Sequence, residues 1–103
     1  MNEPLAVEIT ALAGQHIRKA ESWWRINRTA APNAIRQELQ QAFTFIALQP
    51  RIGSLARNVR LQGVRRIYLP NIKYHLYWHI LADPDRVEVV AFWHARRGEG
   101  PPI

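Results

Sequence analysis

Histidine, tyrosine and arginine side chains recur at every second position in the second half of the chain, which is the spacing of one face of a β-strand. They are Arg66, Tyr68, Lys73, His75, Tyr77 and His79. Arginine and lysine can hold phosphate groups, aromatic rings can stack on bases, and histidine, with a reference pKa of about 6.5, can act as an acid or a base. This combination could bind nucleic acid. It could also cleave RNA by activating a 2′-hydroxyl and protonating the leaving oxygen.

The spacing of other residues disfavours other kinds of site. On one strand face, His75 and His79 lie about 13 Å apart, which is too far for both to bind one metal ion. Gly53 and Gly63 are isolated, so no glycine-rich phosphate loop is predicted. Glu88 is the only acid expected beside the histidines, which leaves no obvious carboxylate pair. We therefore expect neither a metal nor a cofactor.

The charge of the chain is strongly positive and unevenly distributed. The formal net charge is +6, and residues 51–103 carry nine basic and four acidic side chains, a net charge of +5. Twelve of the 14 basic residues are arginine, whose planar fork fits carboxylates and phosphates better than the point charge of lysine. This composition favours an acidic partner over the alternative, a generally basic surface.

Several compositional features bear on where the chain works. It contains no cysteine, which excludes disulfides and thiolate zinc sites. Residues 1–10 lack a basic segment followed by an apolar one, so no signal peptide is predicted. No apolar run approaches the roughly 20 residues of a membrane helix. We expect a cytoplasmic protein with one domain over residues 1–103.

The first half of the chain predicts a strand followed by two helices. Residues 5–10 alternate between apolar and polar, and Thr10 can cap the helix that follows. Apolar residues then recur twice at helical spacing: Ala13, Ile17, Ala20 and Trp24, and later Ile35, Leu39, Ala42, Phe43 and Ile46. Pro32 is acceptable in the first turn of the second helix, and Pro50 ends it. The short link predicts an antiparallel helix hairpin.

The second half changes to the two-residue period of strands. We predict a basic loop over 51–63, strands over 64–69, 72–81 and 86–94, turns at 70–71 and 82–85, and an irregular basic tail rich in proline and glycine over 95–103. The middle strand sets the faces, since Trp78 and its apolar neighbours at even positions should pack under the helices. His75 and the other odd positions should then face away from them.

The register of the strands decides which side chains share the exposed face. If Leu69 pairs with Ile72, Arg66 lies opposite His75. If Leu81 pairs with Arg86, Phe92 also lies opposite His75 and Glu88 lies opposite His79. Loops two residues longer would keep these faces, and odd-length loops would swap them. The predicted exposed face comprises Arg66, Tyr68, Lys73, His75, Tyr77, His79, Glu88, Phe92 and His94, and the tail adds Arg96 and Arg97.

The order of these elements, with several short motifs, resembles the RelE/ParE family of bacterial toxins. The motifs are Gly63-Val-Arg-Arg66, Tyr74-His-Leu-Tyr-Trp78 and Val87-Glu-Val-Val-Ala-Phe-Trp-His-Ala-Arg-Arg-Gly98, with Ile9-Thr10-Ala11, Ala20-Glu-Ser-Trp-Trp24 and Ala31-Pro32 before them. The resemblance spans nearly the whole chain. It implies an α+β fold, β-α-α-β-β-β, with the helix hairpin packed on one face of a mainly antiparallel sheet.

The resemblance also implies two unrelated modes of toxicity. RelE-like members cut messenger RNA on the ribosome, and ParE-like members inhibit DNA gyrase without a recognised catalytic set. Both are silenced by a cognate antitoxin, which here would contribute an acidic segment and form a hetero-oligomer with the toxin. Trp23, off the apolar stripe and therefore expected to be exposed, and the outer surfaces of the helix hairpin are candidate docking surfaces for the antitoxin.

The ribonuclease branch places functional residues at three positions that can be compared here. Arg66 matches the basic position before the turn, and Arg97 matches the arginine after the last strand, but His75 stands where the middle strand carries an arginine. Histidine cannot form the same bidentate clamp on a phosphate. With a tail closer to the ParE-like, plasmid-stabilisation branch, this favours a non-enzymatic gyrase inhibitor. The alternatives are a ribosome-dependent endoribonuclease using Arg66, His75 and Arg97, and a non-toxic nucleic-acid-binding module.

Overall fold

A computed structural model describes residues 3–103 as two helices on one face of a five-stranded sheet; Met1 and Asn2 of the predicted domain lie outside the described residues. The elements are β1 (Ala6–Ile9), α1 (Ala11–Asn27), α2 (Ala34–Leu48), β2 (Ser54–Leu55), β3 (Arg65–Leu69), β4 (Tyr74–Leu81) and β5 (Arg86–His94). The strand order is β1-β5-β4-β3-β2, and only the β1–β5 pair is parallel among the described strands. The predicted α+β fold is confirmed, with β2 added inside the predicted basic loop.

Both helices form where their apolar stripes predict them. The Thr10 hydroxyl oxygen accepts a hydrogen bond from the Ala13 backbone N–H over 3.1 Å, which caps α1 as expected. Ala13 and Ala20 of α1 are buried, and Trp24 packs at the edge of the same core. The second helix begins two residues after Pro32, so this proline precedes the first turn and is not part of it.

The core between helices and sheet is anchored by Trp78, which is 0 % exposed. The indole N–H donates to the backbone oxygen of Pro50 over 2.8 Å, so the ring is held at both its apolar body and its polar edge. Leu76, Val87 and Val89 surround it on the helix side. The predicted parity of β4 is therefore confirmed: even positions lie under the helices, and His75 lies on the opposite face.

The turn between β3 and β4 is four residues long, not two as predicted. Leu69 pairs with Tyr74, so Ile72 is a buried turn residue and Lys73 adopts a left-handed conformation with φ of 65°. The register moves by two residues, which keeps both faces but changes the neighbours. Tyr68 and not Arg66 lies opposite His75.

A β-bulge in β5 overturns part of the predicted exposed face. Up to Val89 the pairing is as expected, with Leu81 opposite Arg86 and His79 opposite Glu88. Val90 is then an extra residue, because Trp78 pairs with Val89 and Tyr77 pairs with Ala91. The rest of the strand switches faces. The prediction that Phe92 and His94 face away from the helices is therefore wrong: they lie opposite Leu76 and Tyr74 on the helix side.

The sheet face away from the helices is half covered, although it was expected to be bare. Val64, Tyr77, Val90 and Ala91 are buried there beneath Ala56, Val59, Trp93 and Ile103, which come largely from the 56–60 loop and the tail. The prediction that Tyr77 is exposed is wrong, since it is 1 % exposed. The tail is irregular as predicted but packs closely: a Cβ at Gly100 would collide with the Asn58 backbone oxygen.

No helix in residues 3–103 is long and apolar enough to cross a membrane.

Replacing Trp78 by phenylalanine should lower the free energy of unfolding by about 2 kcal/mol, because it removes the hydrogen bond to Pro50 and leaves a small cavity. Urea unfolding followed by circular dichroism measures the change. Trp23→Phe is the matched control, since this indole is 47 % exposed and its loss should cost less than about 0.5 kcal/mol. Equal effects of the two substitutions would contradict the anchoring role of Trp78.

Candidate functional site

The part of the sheet left uncovered by the loop and tail carries a row of three rings. Tyr68 on β3, His75 on β4 and Trp93 on β5 lie side by side in register. Tyr68 is 48 % exposed, and its ring centroid is 5.2 Å from that of His75. We call these three rings, with Arg66 and Arg97 beside them, the open face. It is the only part of the predicted binding surface that the fold brings together and leaves accessible among residues 3–103.

Arg66 borders the open face on the β3 side. Its guanidinium Nη1 lies 3.5 Å from the Tyr77 hydroxyl oxygen, which also accepts a 3.0 Å hydrogen bond from the Asn58 side-chain amide. Arg66 is near enough to His75 to act on its titration: burial first, and the positive charge of Arg66 second, lower the pKa of His75. At neutral pH this imidazole is therefore mostly uncharged, so it adds a hydrogen-bonding group to the face and little positive charge.

Arg97 borders the open face on the β5 side. Its guanidinium carbon lies 4.0 Å from the ring centroid of Trp93, which is a cation–π contact. The Trp93 indole N–H donates to the Glu99 backbone oxygen over 2.9 Å, which fixes the ring beneath the arginine. Arg97 and its neighbour Arg96 are both exposed. The planar charge of Arg97 is thus presented to solvent on a rigid platform.

The three candidate catalytic residues are brought to one face but do not converge. Arg66 turns toward Tyr77 and Arg97 lies on Trp93, so the two guanidinium groups flank His75 from neighbouring strands. None of the hydrogen bonds found within residues 3–103 joins His75 to a carboxylate. The arrangement provides cations and rings for a docking partner, and it does not assemble a fork around one phosphate.

The remaining predicted face residues lie elsewhere. His79 and Glu88 form a 2.7 Å contact with each other, as the register predicted, at the far end of the sheet. Lys73 and His94 lie beside Tyr74 at a cavity on the helix side, so their placement on the same face as His75 is wrong. Within residues 3–103 no three histidine, aspartate or glutamate residues come together as a metal site.

Two residues that matter here escaped sequence reasoning, Trp93 and His16. The bulge brings Trp93 to the open face, and no short-range pattern indicates a bulge at Val90. His16 lies on the solvent side of β5 where β1 has ended, and its Nδ1 accepts a 3.2 Å hydrogen bond from the Phe92 backbone N–H. It therefore takes the place of a missing strand partner. Burial, then Arg97 and Lys19, lower the pKa of His16.

Comparisons with known proteins agree on one family. Residues 7–98 match the family model described as ParE toxin of type II toxin-antitoxin system, parDE. A chain of the ParDE system of P. aeruginosa is 11% identical with a TM-score of 0.69, over 89% of this chain and 97% of that one. A chain of the RelBE2 complex from Mycobacterium tuberculosis is 20% identical with a TM-score of 0.64, over 89% and 99%. For the intact E. coli RelBE complex the values are 19%, 0.64, 90% and 99%. No curated protein sequence matches the chain significantly.

The lowered pKa of His16 predicts a loss of stability in mild acid. The unfolded chain binds a proton at this residue near pH 6.5, while the folded state keeps Nδ1 free for Phe92. The stability is therefore complete above about pH 6.5 and is lost as the pH falls toward the folded pKa. The pKa values of His75 and His94 are also lowered and add to the same trend.

Urea unfolding between pH 7.5 and 5 measures this dependence. In His16→Gln the amide oxygen can accept from Phe92 at every pH, so the stability should fall less steeply than in the wild type. NMR titration of the His16 ring gives the pKa directly. A value above 6.5, or equal slopes for the two proteins, would contradict the role of His16 as a neutral acceptor.

Proposed function

This chain belongs to the ParE toxin family of type II toxin–antitoxin systems, with the fold shared by RelE and ParE toxins, and we propose that it is a non-enzymatic inhibitor of DNA gyrase. Gyrase would dock on the open face, where Tyr68, Trp93 and Arg97 are accessible. Tyrosine, tryptophan and arginine are the residue types that most often dominate the energy of protein–protein contacts. We further propose that the chain works in the cytoplasm as one toxin domain.

The observation that carries this proposal is the separation of the two arginines that a phosphate-cleaving site would use together. Arg66 is directed to the Tyr77 hydroxyl and Arg97 to the Trp93 ring. His75 between them lacks a carboxylate partner in the described part of the chain and is biased toward its neutral form. A face built in this way can recognise a protein surface without any reacting group having to be activated.

The gyrase proposal predicts that purified toxin blocks DNA supercoiling and that Arg97 contributes to the contact. Arg97→Ala should raise the half-inhibitory concentration about tenfold or more, which corresponds to about 1.4 kcal/mol at a buried arginine contact. Arg36→Ala is the matched control, because Arg36 is a 68 % exposed arginine on α2, outside the open face, and its removal should have little effect. Normal supercoiling at saturating wild-type toxin would sink the proposal.

The second candidate function is a ribosome-dependent endoribonuclease, and one feature favours it. Arg66, Tyr68 and His75 lie together on the open face, and these residue types can stabilise a phosphorane and move a proton. In this case His75 would be an acid or base, with Arg66 and Arg97 holding the scissile phosphate once RNA and ribosome have drawn them together. The family membership favours either toxin over a non-toxic nucleic-acid-binding module.

His75→Gln separates the two toxin mechanisms. If the chain cleaves RNA, the substitution removes the proton-transfer group and should lower cleavage by about 10²- to 10⁴-fold. If the chain inhibits gyrase, glutamine preserves a neutral hydrogen-bonding side chain, and inhibition should weaken by less than about tenfold. The measurements are supercoiling assays with both proteins and mapping of new 5′ ends on translated messages during growth arrest. We expect inhibition without new cuts; cuts that disappear in His75→Gln would establish the ribonuclease instead.

A further inference from the structure

A second recognition surface runs along α1, on the opposite side of the sheet from the Tyr68–His75–Trp93 row. Two adjoining cavities of about 420 and 200 Å³ lie between α1 and the end of the β4–β5 hairpin. Trp23, Tyr74 and His94 line both cavities, so the two form one continuous groove. We call it the α1 groove.

The rim of the α1 groove carries only positive formal charge. Lys19 and Arg97 line the larger cavity, and Arg28 and Lys73 line the smaller one. None of the lining residues, all within the described range 3–103, is an aspartate or a glutamate. Eight acidic residues occur in the whole chain, so their exclusion from this groove leaves four cations without a carboxylate beside them. The groove is electrostatically complementary to an acidic ligand.

The floor of the groove is aromatic, but its ring faces are already occupied. Tyr74 stacks on Phe92 with centroids 4.4 Å apart and planes at 8°. The Arg28 guanidinium lies 5.1 Å from the Trp23 ring centroid, and Arg97 covers Trp93. Bases bind single-stranded nucleic-acid sites by stacking on free ring faces. Aliphatic side chains need no such face, so this floor suits a peptide better than a nucleic acid.

One buried donor in the same place lacks an acceptor. Trp24 lines the smaller cavity, and its indole N–H is the buried side-chain polar group found without a hydrogen-bond partner in residues 3–103. Such a group is costly unless a ligand supplies an oxygen. A carboxylate or a peptide carbonyl entering the groove would provide one.

We propose that the α1 groove binds an acidic, amphipathic segment of the antitoxin, with apolar side chains on the aromatic floor and carboxylates at the rim. This rests on the proposed function only in taking the partner to be the cognate antitoxin. The groove and the open face share Trp93 and Arg97. A segment that pairs a carboxylate with Arg97 therefore also covers the edge of the face used against the target. One bound segment both holds the toxin and silences it.

Charge reversal within α1 tests the proposal. Lys19→Glu/Arg28→Glu changes two exposed rim residues, and Arg18→Glu/Arg25→Glu makes the same change in charge at exposed positions of the same helix outside the groove. Isothermal titration with the antitoxin encoded next to this gene should show binding about a hundredfold weaker for the groove variant, about tenfold for each charge pair. The control variant should bind within about threefold of the wild type. Thermal unfolding confirms that both variants fold.

The two variants are then compared for toxicity and for nucleic-acid binding. The groove variant should inhibit supercoiling as the wild type does, because neither residue lies on the open face, but antitoxin should no longer relieve the inhibition. Equal antitoxin affinity for wild type and groove variant, or an equal loss in the control, overturns the proposal. It is also overturned if a labelled 12-nucleotide oligo(dT) loses binding in the groove variant while the antitoxin does not.

Failure of the groove and failure of the gyrase proposal have different signatures. If wild-type toxin leaves gyrase active but the groove variant still loses the antitoxin, the target is wrong and the groove stands. If gyrase is inhibited and the antitoxin binds both proteins equally, the target stands and the groove is wrong.

Discussion

The arrangement of both recognition surfaces depends on one extra residue in β5. The bulge at Val90 reverses the faces of the residues after it, which sends Phe92 under Tyr74 and turns Trp93 outward. Without that reversal, Trp93 would lie in the helix-side core and Arg97 would have no ring to rest on. The Tyr74–Phe92 stack and the Trp93–Arg97 contact are thus two consequences of one backbone irregularity. Bulges commonly re-aim side chains in this way near functional sites.

Much of the fold follows from patterns that the sequence displays directly. Both helices, the three long strands and the parity of β4 are set by the burial of apolar residues such as Trp78, and burial of one face strongly fixes strand parity. The turn at 70–73 and the bulge are different, because each adds residues without changing the local polarity pattern. Ile72 is apolar whether it opens a strand or fills a turn, and Val90 is apolar whether or not it is paired. Trp93 therefore had no local signal that could place it on the exposed side.

Positive charge on this protein is concentrated by contacts that keep its arginines ordered. Arg97 lies on Trp93, Arg28 lies near Trp23 and Trp24, and Arg66 points at a tyrosine hydroxyl. A stacked guanidinium keeps its charge and its outward donors while losing conformational freedom before any partner arrives. Binding then costs less entropy than it would with free side chains. The neighbouring histidines respond in the opposite direction, since the same cations and partial burial favour their neutral form.

This electrostatic division of labour also bears on how one fold can serve two modes of toxicity. A ribonuclease needs its cations to converge on a single phosphate, whereas an inhibitor needs them spread over an area that matches a protein surface. Here the strands hold Arg66 and Arg97 on either side of His75, and the rings beneath them resist convergence. Converting such a face to catalysis would require an arginine at the position of His75 or release of Arg97 from Trp93. The aromatic platform that presents Arg97 to a partner is therefore the same feature that works against phosphate cleavage.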